Sequence, residues 1–147
     1  MRLSLVCLPL LLAACAASPS AKSGLAGTQW QLRSIQSMDD AQGTTKIADP
    51  AHYTLSFGKD GRASMRFDCN RGSGSWEAEA SSADSGILRF GAIAVTRAMC
   101  APGSLDSRVA RDLPYSRHYL RKDGKLYVTL LADGGIYEWE PMATEQP

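Results

Sequence analysis

No run of apolar residues in this chain is long enough to cross a bilayer as a helix. The longest, Leu3 to Ala17, is interrupted by Pro9 and falls short of the roughly 20 residues a span requires. Charge of one sign is also missing: 16 Lys and Arg face 15 Asp and Glu, with no basic stripe. Nucleic-acid binding depends on clustered positive charge, so nucleic acid is excluded as a partner. Histidine is scarce, His52 and His118 being the only two. There is no G-x-S-x-G elbow, H-E-x-x-H pair, glycine-rich phosphate loop, EF-hand spacing or C-x-x-C pair. These absences remove the common signatures of serine hydrolases, zinc proteases, nucleotide sites, calcium loops and structural zinc. The sequence therefore predicts no catalytic residues, no metal site and no cofactor.

What is present begins with an address. Arg2, a short apolar run and the small residues of Leu12-Ala13-Ala14-Cys15 follow the grammar of a cleaved signal peptide. The last four resemble a bacterial lipobox, which makes Cys15 the expected lipid attachment and the membrane the expected first partner. Residues 1–14 are read as leader, 15–24 as a lipidated flexible tether, 25–141 as one folded domain and 142–147 as a disordered tail. The Ala/Ser-rich tether would reach on the order of 15 Å. Ala16, in place of an aspartate, points by the same resemblance to the outer membrane, on its periplasmic face. Loss of Arg2 with the leader brings the 16 basic residues level with the 15 acidic ones.

Cys7 leaves with the leader and Cys15 carries lipid, so Cys69 and Cys100 are the thiols left to the domain. In an oxidising compartment two such cysteines pair more often than not. Closing a loop of about 30 residues would stabilise by roughly 3–4 kcal/mol in the chain-entropy model. A metal or catalytic thiol is the competing reading, and no Cys/His ligand cluster accompanies it.

Strand signals dominate the rest. Tyr53, Leu55 and Phe57 alternate with Thr54 and Ser56, and after Lys59-Asp60-Gly61 the pattern resumes with Ala63, Met65 and Phe67. Alternation on both sides of an Asp-Gly turn predicts a hairpin with one buried face. The device returns at Lys122-Asp123-Gly124 and Asp133-Gly134-Gly135, predicting a three-stranded meander. Thr28–Ile35, Trp76–Ala80, and a pair formed by Ile87–Phe90 and Ala92–Thr96 complete the strands. One helix is expected at about 104–113, with Ser104 as N-cap, a Leu105/Val109/Leu113 stripe and Pro114 as its stop. Arg108 and Asp112 read as a solvated pair on its far side. The fold class is mainly β, a β-rich α+β domain: an antiparallel partial barrel of hairpins and meanders with one helix covering an opening or edge. His52-Tyr53 and His118-Tyr119, each shortly before an Asp-Gly turn, suggest two related meander halves.

A bridge from Cys69 to Cys100 would gather Asp68, Asn70, Arg71, Thr96 and Arg97 into one corner. Two readings of it stay open. Asp and Asn satisfy loop backbone, with Arg97 pairing Asp68 to fix the corner, or the group contacts a ligand. Glu77 and Glu79 share one strand face and read as its wet side.

The opening Leu25-Ala26-Gly27-Thr28-Gln29-Trp30-Gln31-Leu32, the Cys69-Asn70 step, Thr96-Arg97-Ala98-Met99-Cys100 and the closing Gly124-x-Leu126 strand resemble a META domain, the HslJ-like lipoprotein family. The resemblance covers nearly all of 25–140. It implies a compact β-rich domain with a helix between the second cysteine and the last strands, and a link to envelope and heat stress, but no catalytic residues to carry over. Address, neutral charge and missing catalytic motifs together lead to the expectation of a monomeric, non-enzymatic envelope protein that binds or stabilises an envelope protein or cell-wall component. The alternatives are an inhibitor of a cell-wall hydrolase such as a lysozyme and, third, an enzyme with a site near Asp68 and Arg97.

Overall fold

Alternating apolar and polar residues become strands throughout the computed structural model, which describes residues 24–142. The expected leader, Cys15 with most of its tether, and the tail from residue 143 lie outside the described residues. In chain order the strands are β1 (Gln29–Gln36), β2 (Thr44–Lys46), β3 (Tyr53–Phe57), β4 (Arg62–Phe67), β5 (Asn70–Ala80), β6 (Ser85–Phe90) and β7 (Ala94–Val95). Helix α1 (Asp106–Asp112) follows, then β8 (Ser116–Lys122), β9 (Lys125–Leu130) and β10 (Ile136–Pro141).

Eight of these strands form a closed antiparallel barrel in the order β1-β3-β4-β5-β6-β8-β9-β10. The expected partial barrel is closed because β10 returns to β1, paired from Trp30↔Pro141 to Gln36↔Ile136 with one register shift between Leu32 and Ser34. Closure removes the open edges that a partial barrel would leave. β2 adds to β1 and β7 to β5 outside the ring. The inward residues of each strand make one core, including Leu32, Leu55, Phe57, Phe67, Leu88, Val128 and Trp139, all essentially inaccessible.

The Asp-Gly turns behave as their chemistry requires. Lys122 pairs directly with Lys125, so Asp123 (φ 52°) and Gly124 (φ 73°) form the left-handed two-residue turn that suits the strand twist. The β3–β4 connection is wider, with Gly61 left-handed and the Gly58 N–H donating to the Arg62 carbonyl at 2.7 Å.

Two expectations about strands are corrected. β5 begins at Asn70 rather than Trp76, and the segment after β6 pairs with β5, through Gly72↔Val95 and Ser73↔Ala94, rather than with β6. The first half of β5 hides its inward face because that face is Asn70, Gly72 and Gly74. A Cβ on Gly72 would lie 2.6 Å from the Phe67 ring, and one on Gly74 would lie 2.8 Å from the Ala92 carbonyl. Neighbouring side chains and backbone fill the space that β5 leaves empty.

The helix is shorter than expected and starts one residue after Leu105. Ser104 Oγ accepts from the Asp106 N–H at 3.2 Å, while the Leu105 N–H donates to the Tyr53 hydroxyl at 2.9 Å. Pro114 does not end the chain's helical course but sits in a 3₁₀ turn, Leu113–Tyr115. Val109 and Leu113 are fully buried, so the predicted stripe faces the core and α1 closes one end of the barrel.

Asp112 departs from its expected solvated role. It does pair with Arg108, at 3.8 Å, but its side chain is only 16% exposed, also meets Arg111 at 3.0 Å and accepts from the Tyr137 hydroxyl at 2.7 Å. Burial first, and this hydrogen bond second, hold the Tyr137 hydroxyl well above the usual tyrosine range. A raised pKa adds stability below the unfolded tyrosine value of about 10 that is lost as pH rises beyond it. Alkaline unfolding should therefore begin above about pH 10, with a slope of up to about 1.4 kcal/mol per pH unit from this group. Tyr137→Phe should reduce the slope while lowering stability at pH 7 by about 2 kcal/mol. Urea titrations of both proteins from pH 7 to 11 measure this, and parallel curves would remove Tyr137 as the cause.

Candidate functional site

The corner singled out in the sequence lies at the barrel end that α1 covers. Phe67 pairs with Asn70, leaving Asp68 and Cys69 as a two-residue connection between β4 and β5. Asp68 takes the left-handed conformation there, φ 56°, which aspartate tolerates better than most residues. Its N–H donates to the His52 carbonyl at 2.6 Å. A disulfide joins Cys69 to Cys100, with Cα atoms 5.5 Å apart.

Asn70 is the hub. It is 2% exposed, and its Oδ1 accepts from Thr96 Oγ1 and from the Ala98 N–H, both at 2.8 Å. Its Nδ2 donates to the Ala98 carbonyl at 3.0 Å and to Asp106 Oδ2 at 3.1 Å, with Cys100 Sγ at 3.4 Å. One buried amide thus ties the β4–β5 turn to the segment after β7 and to the first residue of α1. Thr96 completes the join: the Arg71 N–H donates to its Oγ1, and the Thr96 N–H to the Arg71 carbonyl, both at 2.9 Å.

Asp68, Asn70, Arg71 and Thr96 therefore meet as the sequence suggested, but Arg97 does not join them. Its side chain is exposed, and Asp68 pairs instead with His52, Nδ1 to Oδ1 at 3.1 Å. The expected Arg97–Asp68 pair is thus replaced by a histidine brought in by the 3₁₀ turn Pro50–His52 ahead of β3. Sequence reasoning also missed Arg66, whose guanidinium donates to the Asp68 and Ala51 carbonyls, and Asp106, whose carboxylate receives Asn70. The repeated His-Tyr step was the available signal for His52, and nothing marked Arg66.

Chemically this is a paired corner. Its amide and hydroxyl groups bond to one another or to backbone, and the depression beside it, bordered by His52, Asp68, Pro102 and Ser104, is open and about 360 Å³. A larger cleft of about 1130 Å³ lies at the opposite rim, lined by Trp30, Asp84, Arg121, Lys122 and Lys125. There Lys125 bonds to Glu138, which draws the carboxyl below its ordinary range, and Arg121 donates to the Gly24 carbonyl at 3.2 Å. Among the described residues no group of three or more His, Cys, Asp and Glu side chains could hold a metal, and no helix is long and apolar enough to cross a membrane. His52, in the 3₁₀ turn ahead of β3, and His118, on β8, belong to strands that are not neighbours in the ring, so the fold does not unite them. In the barrel interior, Tyr119 Oη and Trp139 Nε1 are buried without a hydrogen-bond partner.

The model of the META domain matches residues 23–138. The chain belongs to the META domain family. Its barrel resembles that of a protein from Burkholderia xenovorans solved by NMR, with a TM-score of 0.63 at 19% identity over 92% of this chain and 99% of that one. It also resembles a DUF4847 family protein from Bacteroides vulgatus, with a TM-score of 0.57 at 10% identity over 80% and 94% of the two chains. At such identities the likeness is one of fold. No curated protein matches the sequence significantly. The META domain match spans nearly the whole barrel, whose strands run from Gln29 to Pro141.

Proposed function

We propose that this META domain is a lipid-anchored bacterial envelope protein that binds or stabilises another envelope component and performs no reaction itself. The observation that carries the non-enzymatic half is Asn70: the densest polar cluster is spent holding segments of the chain together, as buried polar networks often are. The lipobox-like Leu12-Ala13-Ala14-Cys15 supports the anchored half, on the periplasmic face of an outer membrane, and the family resemblance supports a part in envelope or heat-stress tolerance. Fractionation tests the anchor. Wild-type protein should sediment with membranes and release only with detergent, whereas Cys15→Ala should appear in the soluble fraction. A Cys15→Ala protein that still sediments would remove the anchor from the proposal. A deletion strain with unaltered stress tolerance would count against the stress role.

A second reading, inhibition of a cell-wall hydrolase, is favoured by the fixed segment around Met99, a side chain that is 100% exposed. Muramidase assays should then show loss of activity at equimolar domain, and full activity at a large excess would end that reading.

A further inference from the structure

The barrel closes its own edges, yet one extended segment beside it keeps a free one. In β7 Ala94 pairs with Ser73, and just after it the Thr96 N–H donates to the Arg71 carbonyl, so these residues turn their backbone toward β5. Ala98 then gives both its N–H and its carbonyl to Asn70. Of the alternate residues, Arg97 and Met99 have backbone N–H and carbonyl groups that bond to nothing among the described residues. Val95, which stands opposite Gly72 as the non-hydrogen-bonded pair of this register, turns its own groups the same way. This alternation of two is that of a strand held on one side and open on the other. The segment is fixed from behind by Asn70, by Thr96 and by the disulfide at Cys100.

Such an edge is a template for another strand. Self-association is disfavoured, since the antiparallel register that uses all three free residues puts Arg97 opposite Arg97, and like charges directly opposite repel. The side chains on the edge specify the alternative. Arg97 is exposed and has no carboxylate partner among the described residues. Arg71, one strand in, is also exposed and meets only the carbonyls of Asp68 and Asn70. Met99 offers a fully exposed, adaptable apolar contact.

We infer that Val95–Met99 is a docking edge that takes an extended, acidic peptide segment of a partner protein by antiparallel strand addition. This rests on the binding role proposed above and names the kind of partner. Backbone hydrogen bonds would supply affinity, while Arg97 and Arg71 select carboxylates flanking an apolar residue that covers Met99.

The probe is an eight-residue peptide alternating valine and glutamate, titrated into the mature protein and followed by NMR and amide hydrogen exchange. Binding should slow exchange at Val95, Arg97 and Met99. N-methylation of the peptide's alternate amides should weaken binding by at least about tenfold, because it removes donors without changing charge. Replacing its glutamates with lysines should abolish binding, and Arg97→Glu, which disturbs no bond within the protein, should reverse that preference. Equal binding of the methylated peptide, or unchanged exchange at those amides with millimolar peptide, would overturn the inference. In cells, photo-crosslinkers at Met99 and at Met38, an exposed residue beyond β1, separate the two claims. Adducts from Met38 alone would remove the edge and leave the binding role standing, while adducts from neither would count against both.

Discussion

Breaking the Cys69–Cys100 bridge, by reduction or by Cys69→Ser together with Cys100→Ser, should lower unfolding stability by about 3–4 kcal/mol. The bridge spans 31 positions, and its removal returns the loop-closure entropy of that stretch to the unfolded chain. For a domain of this size the shift corresponds to a fall in Tm of roughly 10–20 °C. Asn70 still holds Ala98 in the reduced protein, so the folded structure should survive at 25 °C and the loss should fall on stability rather than on secondary structure. Urea midpoints with and without reductant, at matched m-values, measure it. Coincident midpoints would mean that the bridge constrains nothing the barrel does not already fix.

Asn70→Ala should cost about 2–4 kcal/mol despite deleting only a small side chain. It leaves the Ala98 N–H and carbonyl and the Asp106 carboxylate without the partner that joined them, and orphaned polar groups cost more than the bond they lose is worth. Asn70→Asp keeps the acceptor that serves Thr96 and Ala98 but turns the donor into a second oxygen facing Asp106. Burial and that neighbouring charge should raise the introduced carboxyl's pKa, so its stability should be greatest in acid and lost as pH rises through the raised value. The alanine variant has no such group and should remain equally destabilised, relative to wild type, across the same range. An aspartate variant as stable as wild type at pH 7 would disprove the hub geometry. Because the disulfide and Asn70 restrain the same two segments, the double variant should depart from additivity by about 1 kcal/mol.

Much of the barrel was legible because side-chain alternation survives wherever the inward residues are large. Tyr53, Leu55 and Phe57 announce β3, and Leu126, Val128 and Leu130 announce β9. The signal fails in β5, whose inward positions carry an amide and two glycines, so half of the longest strand reads as a polar loop. Closure was not legible either. It depends on β1 meeting β10 across nearly the whole chain, and the pairing leaves no mark in either segment. At the corner, the bridge pointed to the right neighbourhood but charge matching misled. Arg97 looked like the partner of Asp68, whereas the tight turn after β4 presents that carboxylate to His52. The prominence of Asn70 could not be read, since a buried asparagine and a loop asparagine look alike until the segment it holds is in place.

The pairing of β1 with β10 has a consequence for how the molecule comes apart. Contacts between the first and last strands are the most distant in the chain, so their formation carries the largest loop-closure cost and belongs late in folding. Until residues 136–141 are available, β1 and β9 each present an unsatisfied flank, and the chain is at its most vulnerable to mispairing with a second molecule. Truncation at the C-terminus would not fray the domain by one strand. It would turn a ring into a curled ribbon with two raw borders, which makes the last strand a lock on all the others.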